Sequence, residues 1–226
     1  MAIQRLAAIA ALLCAAHQAA ALEVPAIGGS QFSVPVASMK TIRFQTTLRQ
    51  QFDFSCGSAA VATLLTHHYG HPVSERFVFE QMYARGDQRK IRKEGFSMLD
   101  IKRFLAERGF QADGFKLPLQ KLIDAKLPAI VLVAEKGYHH FVVIKGAAQG
   151  RILVGDPANG TRTLTRAAFD RIWTSKLMFV IHDTATVPAF NRLADWRAAP
   201  MAPLTTGINR DGISGVTMPK LGPGDY

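Results

Sequence analysis

Between about Arg49 and Asp183 the apolar residues recur densely, and their spacing changes character partway along. In "SCGSAAVATLLTHHYG", Ala60, Val61, Leu64 and Leu65 fall one helical turn apart, and Gly70 is suited to stop the helix. "SERFVFEQMYAR" reads as a second helix opened by Ser74. "SMLDIKRFLAERG" reads as a third, with Ser97 and Asp100 in capping-box spacing and Gly109 closing it. "PLQKLIDAK" predicts a short fourth helix. After it come "PAIVLVA", "HHFVVIKGA", "RILVGDP" and "KLMFVIH", short β-branched runs bounded by Gly and Pro that predict strands. "LTRAAFDRIW" inserts one more helix before the last of these. Helices first and antiparallel strands afterwards predict an α+β domain, N-terminal helices packed on a C-terminal antiparallel sheet.

The flanks differ from this middle. Residues 1–21 carry Arg5, the apolar run "LAAIAALLCAA" and a small-residue "AAA" at Ala19–Ala21, the three parts of a secretory signal. The run is too short to span a bilayer, so the pattern predicts export to the periplasm, with membrane association as an alternative. Residues 22–48 form an approach segment, residues 49–184 the domain. Residues 185–226 are rich in Pro and Gly and predict a largely irregular tail, with room for a short helix near Arg192–Arg197.

A formal net charge of +10 favours acidic partners or anionic lipid, but no nucleic-acid-binding motif accompanies it. No segment after the signal is apolar enough for a transmembrane helix. The chain has two cysteines, and Cys14 lies inside the signal. Cleavage after Ala21 leaves Cys56 without an internal partner. An unpaired thiol in an exported protein points to an intermolecular bridge or to a reactive group.

Cys56 opens a helix, where backbone N–H groups and the helix dipole favour a thiolate, although a buried inert cysteine fits an Ala-rich helix as well. A cysteine nucleophile needs a base and a group that orients the base. His140, at the start of a core strand, lies where a sheet rim can face a helix N-terminus, while its neighbour His139 points to the opposite face. Asp156 ends the following strand, and a tight hairpin brings it beside His140. Gln50, six residues before Cys56, can donate its amide to a developing oxyanion, with Gln51 as a competitor. Each residue alone has a plain structural reading: core thiol, satisfied histidine, Asp-Pro turn, surface glutamine.

Taken together, "Q-x5-C-G", "H-F-V-V" and a "D-P" sixteen residues after the histidine resemble the bacteriocin-processing, double-glycine-leader family of papain-like cysteine peptidases. The resemblance covers roughly Arg49 to His182. It implies a papain-like fold with Cys56 as nucleophile, His140 as general base and acid, Asp156 as its orienting group and Gln50 as oxyanion donor. It implies cleavage of a peptide or protein substrate without cofactor or metal. The stand-alone, exported arrangement is similar to the members encoded with functional-amyloid secretion systems, so a secretion or amyloid component is the implied partner. A papain-like amidase or acyl transferase, and an inactive peptidase fold that only binds peptide, remain as alternatives.

Three further motifs stand apart. His67, His68 and His71 place His67 and His71 at a metal-pair spacing, but Gly70 interrupts the helix and no third ligand follows. "ARGDQRKIRKEG" carries Arg85, Arg89, Lys90, Arg92 and Lys93 and predicts a solvated basic loop, with acidic-substrate or membrane docking as the sharper reading. Gly28-Gly29 reads as a flexible linker, with self-processing after Gly29 as an alternative.

Overall fold

The computed structural model describes residues 21–25, 31–35, 37–135, 137–182 and 184–199. The described residues fall into two units that divide between Ile42 and Arg43. In the first, β1 (Ala21–Pro25) and β2 (Gln31–Pro35) pair antiparallel, Ala21 opposite Pro35 and Pro25 opposite Gln31. The expected signal up to Ala20 and the Gly28-Gly29 pair lie outside the described residues. A short helix, α1 (Met39–Arg43), spans the division.

The second unit holds the predicted α+β domain. Its helices are α2 (Cys56–His68), α3 (Glu75–Arg85), α4 (Gln88–Glu94) and α5 (Met98–Ala106). They precede β3 (Gln111–Lys116), α6 (Leu119–Asp124), β4 (Ala129–Glu135), β5 (Tyr138–Ala148), β6 (Arg151–Asp156), β7 (Gly160–Thr165), α7 (Arg166–Ile172) and β8 (Leu177–His182). The strands form one antiparallel sheet in the order β3-β8-β4-β5-β6-β7.

The caps follow the sequence. Ser74 accepts the Phe77 N–H, and Ser97 with Asp100 forms both halves of a capping box. Gly70 and Gly109 leave their helices with φ of +66° and +79°. Helix α2 is buried from Cys56 through Leu65, because it lies between the sheet and the other helices rather than on the surface. Its apolar side chains join Met82, Ile101, Phe104, Phe141, Val143 and Phe179 in one core. The opposite sheet face is closed by α6 and α7, where Leu119, Leu122, Phe169 and Trp173 pack on Val131, Val142 and Ile152. The second layer of helices was not legible as such, although its segments were.

Two of the six strands, β3 and β7, have no counterpart among the predicted runs. They are the sheet's edges, and "QADGFK" and "GTRTLT" lack the apolar runs of strands flanked on both sides. The basic stretch also departs from expectation. Part of it is helix α4, because Asp87 accepts the Arg89 and Lys90 N–H groups as N-cap and Ile91 is buried beneath.

Residues 184–199 are fixed to the domain, although the sequence predicted a largely irregular tail from residue 185; the short helix expected near Arg192–Arg197 is present as α8 (Leu193–Ala198). They show no apolar period because polar contacts hold them. The Ala189 N–H donates to the His68 carbonyl at 2.8 Å, and the Asn191 side chain pairs with both backbone groups of Ala147 at 2.8 and 3.0 Å. The Arg192 guanidinium donates to the His67 carbonyl at 2.8 Å. Asp195 meets Lys145 at 2.6 Å, both side chains fully buried. Lys145 is the extra residue where the β5–β6 register steps between Ile144 and Gly146. Its ammonium also donates to the Thr46 hydroxyl at 2.8 Å and reaches the Thr47 hydroxyl at 3.4 Å. Burial pushes its pKa down to about 8 against the opposing pull of Asp195.

His68 belongs to this strap rather than to a metal site. Its Nδ1–H donates to the Ala189 carbonyl at 2.6 Å, and its Nε2 is buried without a partner. Burial first, then the Lys145 charge, lowers its pKa from 6.5 to about 4. The unfolded chain therefore takes up a proton between pH 6.5 and 4 that the folded chain refuses. Stability should fall across that window on acidification, by up to about 3 kcal/mol. Urea midpoints at pH 7 and 4.5 check this, and His68→Asn, which keeps a donor for Ala189, should flatten the difference.

Candidate active site

The site lies where the loop 49–55 runs past the start of β5 and feeds into α2. The loop is fastened at several points. The Gln50 N–H donates to the Pro157 carbonyl at 3.1 Å, joining the loop to the turn after β6. The Ser55 hydroxyl receives the Phe52 N–H at 3.0 Å, and the Ser55 N–H donates to the Phe52 carbonyl at 3.0 Å. From below, the buried Glu75 carboxylate accepts the Ser58 hydroxyl at 2.9 Å. Burial raises the Glu75 pKa, while hydrogen bonds from Ser58, Ser55 and the Gln51 backbone pull it down.

Cys56 is the first residue of α2 and is only 5% exposed. Gly57 is required beside it, since a Cβ there would sit 2.9 Å from the Phe96 Cβ. The Cys56 Sγ accepts the Phe141 N–H at 3.5 Å, which places the thiol against the strand that carries His140. The sequence led us to expect a lowered thiol pKa. Burial instead raises it, outweighing the N–H groups of Phe141, Gly57 and Cys56 itself. Burial thus favours the protonated thiol, and a neighbouring base is what would draw its proton off.

His140 is buried, and its Nε2 meets the Asp156 Oδ2 at 3.3 Å. The antiparallel β5–β6 hairpin makes this pairing, as the spacing predicted. Its Nδ1 is buried and has no partner. Thus one ring nitrogen is tied to a carboxylate and the other is left unoccupied in the interior. A buried polar atom without a partner costs about 1–3 kcal/mol, a cost that is common where chemistry needs a vacant acceptor.

Asp156 is held on every side. Its Oδ1 accepts the Ala158 and Asn159 N–H groups at 2.9 and 3.2 Å. Its Oδ2 accepts the Asn159 side-chain amide at 3.0 Å and faces Arg162 at 3.0 Å. Burial alone would raise its pKa. The hydrogen bonds from His140 and Asn159, with the charges of His140 and Arg162, hold it well below the usual carboxylate range. Arg162 also pairs with Glu135 at 2.5 Å. Glu135, His140 and Asp156 offer ligand atoms within 4.8 Å of one another, the spacing a metal ion would need. The Arg162 guanidinium contacts both carboxylates and supplies the cationic charge, so these residues fit an ion-pair network.

Gln50 is placed at the loop's entry, but its amide is engaged locally. The Nε2 donates to the Phe52 carbonyl at 3.0 Å and to the Asp53 carbonyl at 3.3 Å, and the Oε1 is buried without a partner. Beside Cys56 opens a cleft of about 330 Å³. Phe96, Met98, Leu132, Phe141 and Leu177 give it apolar walls, and Lys90 and His139 stand in its lining. His139 thus faces the cleft, while His140 faces Asp156, as strand alternation requires.

Sequence reasoning did not find Glu75, Arg162 or Tyr138, whose hydroxyl donates to the Asp53 carbonyl at 2.6 Å. Glu75 reads as an ordinary first-turn acid behind the Ser74 cap. Arg162 becomes visible only once β7 is known to be a strand beside β6, with Arg162 opposite Val154. Tyr138 could have been found from its position two residues before His140, on the same face of the strand.

Comparison with known proteins bears on the same residues. The model of the Peptidase C39 family matches residues 45–185, which include Gln50, Cys56, His140 and Asp156. The chain is 40% identical over 165 residues to the probable functional amyloid protease FapD of Pseudomonas aeruginosa, covering 73% of each chain. In fold it is similar to the peptidase domain of Streptococcus ComA, a bi-functional ABC transporter, at TM-score 0.52 and 23% identity, over 62% of this chain and 98% of that one. It is also similar to a double glycine motif protease of an AMS/PCAT transporter solved with its leader peptide, at TM-score 0.50 and 23% identity, over 61% and 91%. Among the described residues no helix is long and apolar enough to cross a membrane. With the family model matching well over half of the chain on the segment that builds this site, the protein belongs to the Peptidase C39 family and is a cysteine-type peptidase.

Proposed function

We propose that this chain is an exported thiol peptidase that cuts a secreted or leader-bearing protein after a Gly-Gly pair. The observation that carries the mechanism is the divided imidazole: Nε2 of His140 bound to Asp156, and Nδ1 buried and vacant. Nδ1 accepts the Cys56 proton as the sulfur attacks the scissile carbonyl, because the buried thiol does not ionise unaided. Asp156, fixed by Asn159 and Arg162, holds the ring and stabilises the imidazolium that forms. The negative oxygen is received by the N-terminus of α2 and by Gln50, which gives up its long 3.3 Å contact with Asp53 to donate. The imidazolium then protonates the leaving amine, and water activated by His140 releases the acyl group from sulfur.

The Gly-Gly preference rests on two supports. Cys56 is 5% exposed, so residues with no side chain approach the sulfur most closely. A relative of the same fold is described as a double glycine motif protease. The likeness to a functional amyloid protease makes a component of an amyloid secretion system the favoured substrate. Export rests on the N-terminal signal pattern, and a periplasmic fraction containing protein that begins at Leu22 would support it.

The test is incubation of the protein with a peptide containing one Gly-Gly pair. Native protein should cut once, after the second glycine, and Cys56→Ala should not cut. A cut elsewhere removes the specificity, and cutting by Cys56→Ala removes the mechanism. Release of ammonia or acyl transfer without backbone cleavage would favour the amidase or transferase reading.

A further inference from the structure

Tyr138 is 51% exposed, yet it makes two contacts that converge on the site. Its ring lies over the His140 imidazole, centroids 5.6 Å apart and planes within 24°. Its hydroxyl donates at 2.6 Å to the carbonyl of Asp53, three residues before the nucleophile. The same carbonyl receives the weaker 3.3 Å bond from Gln50 Nε2. Tyr138 therefore touches both halves of a site whose residues lie far apart in sequence: the base on the sheet and the loop that leads into α2.

Resting on the peptidase reading above, we propose that Tyr138 is a positioning residue that clasps the loop 50–55 to the strand carrying His140. The stack limits rotation of the imidazole about its own axis, so Nε2 stays on Asp156 and Nδ1 stays available. The short hydroxyl bond occupies the Asp53 carbonyl and weakens its hold on Gln50, so the amide can turn to an oxyanion at little cost. Burial, and the neighbouring Cys56, Asp53 and Asp156, keep the phenol protonated and thus a donor. Half its surface faces solvent, so its removal leaves no large cavity.

The test compares Tyr138→Phe, which keeps the ring, with Tyr138→Ala, which loses both contacts, in the full chain. Two readouts are taken: the rate of Cys56 alkylation by iodoacetamide from pH 6 to 10, followed by peptide mass, and kcat with KM on the double-glycine peptide. A misplaced base costs up to about 100-fold, so Tyr138→Ala should lower kcat about 30-fold with KM unchanged, and Tyr138→Phe about threefold. Alkylation at pH 7 should fall about tenfold in Tyr138→Ala and approach the native rate as the thiol ionises at high pH. A Tyr138→Ala protein whose alkylation and kcat match the native values overturns the proposal, as does a loss confined to KM, which marks a substrate contact. If the native protein does not cut, the peptidase reading fails, while the alkylation profile still decides whether Tyr138 positions the base.

Discussion

His140→Ala should lower kcat for the double-glycine peptide by about 10³-fold or more, with little change in KM. The magnitude follows from the state of the thiol. Burial raises the Cys56 pKa, so without a base nearly all of the enzyme near neutral pH carries an unreactive S–H. In a site where the sulfur already rests as a thiolate, losing the histidine would forfeit the leaving-group proton but leave the nucleophile intact. Here both are lost. Asp156→Ala should fall in the same direction, because it frees Nε2 and leaves Arg162 with Glu135 alone. The losses should not add: His140→Ala combined with Asp156→Ala should be no slower than His140→Ala by itself, since Asp156 acts through the imidazole. Single-turnover cleavage measures all three, and an additive double variant would mean that Asp156 serves a separate step.

Lys145→Met should destabilise the domain by about 3–5 kcal/mol, the cost of leaving a buried charge without its partner. Asp195→Ala should do the same from the other side. The pair replaced together, as Lys145→Met with Asp195→Leu, should recover most of the loss, because an apolar pair of similar volume avoids the desolvation that the ions suffer. Cutting the chain after residue 185, where the family match ends, removes Asp195 and the Ala189 and Asn191 contacts at once. The melting temperature of that fragment should drop by on the order of 10 °C. Thermal unfolding of the four proteins at pH 7 checks the series. A fragment as stable as the full chain would show that the strap adds nothing to the domain.

Helices α2, α3, α5, α6 and α7 and the central strands were legible because burial on one or both faces writes a period into the chain, whereas α1 and the basic α4 were not. Ser97 with Asp100, and Gly70, marked their boundaries through backbone chemistry alone. The edge strands escaped for the converse reason. So did the strap's attachment: Asn191 and Asp195 bond at the β5 bulge, and Ala189 and Arg192 at the end of α2, none of which a local pattern announces. At the site, the order of Gln50, Cys56, His140 and Asp156 was readable, and the thiol's protonation was not. A helix N-terminus favours a thiolate, but the desolvation that opposes it depends on Phe96, Phe141 and the rest of the core closing around the sulfur. Burial is a property of the folded neighbourhood, and no spacing rule carries it.

The bond between Lys145 and Asp195 also sets an order of events. A chain made from its N-terminus contains Cys56, His140 and Asp156 some forty residues before it contains Asp195. Until then Lys145 lacks the carboxylate that offsets its burial, so the strand that carries His140 reaches its full stability only once residues 184–199 are in place. The scissors are assembled before the rivet is driven. The last described segment of the chain thus supplies the contact that completes the burial of the strand carrying His140.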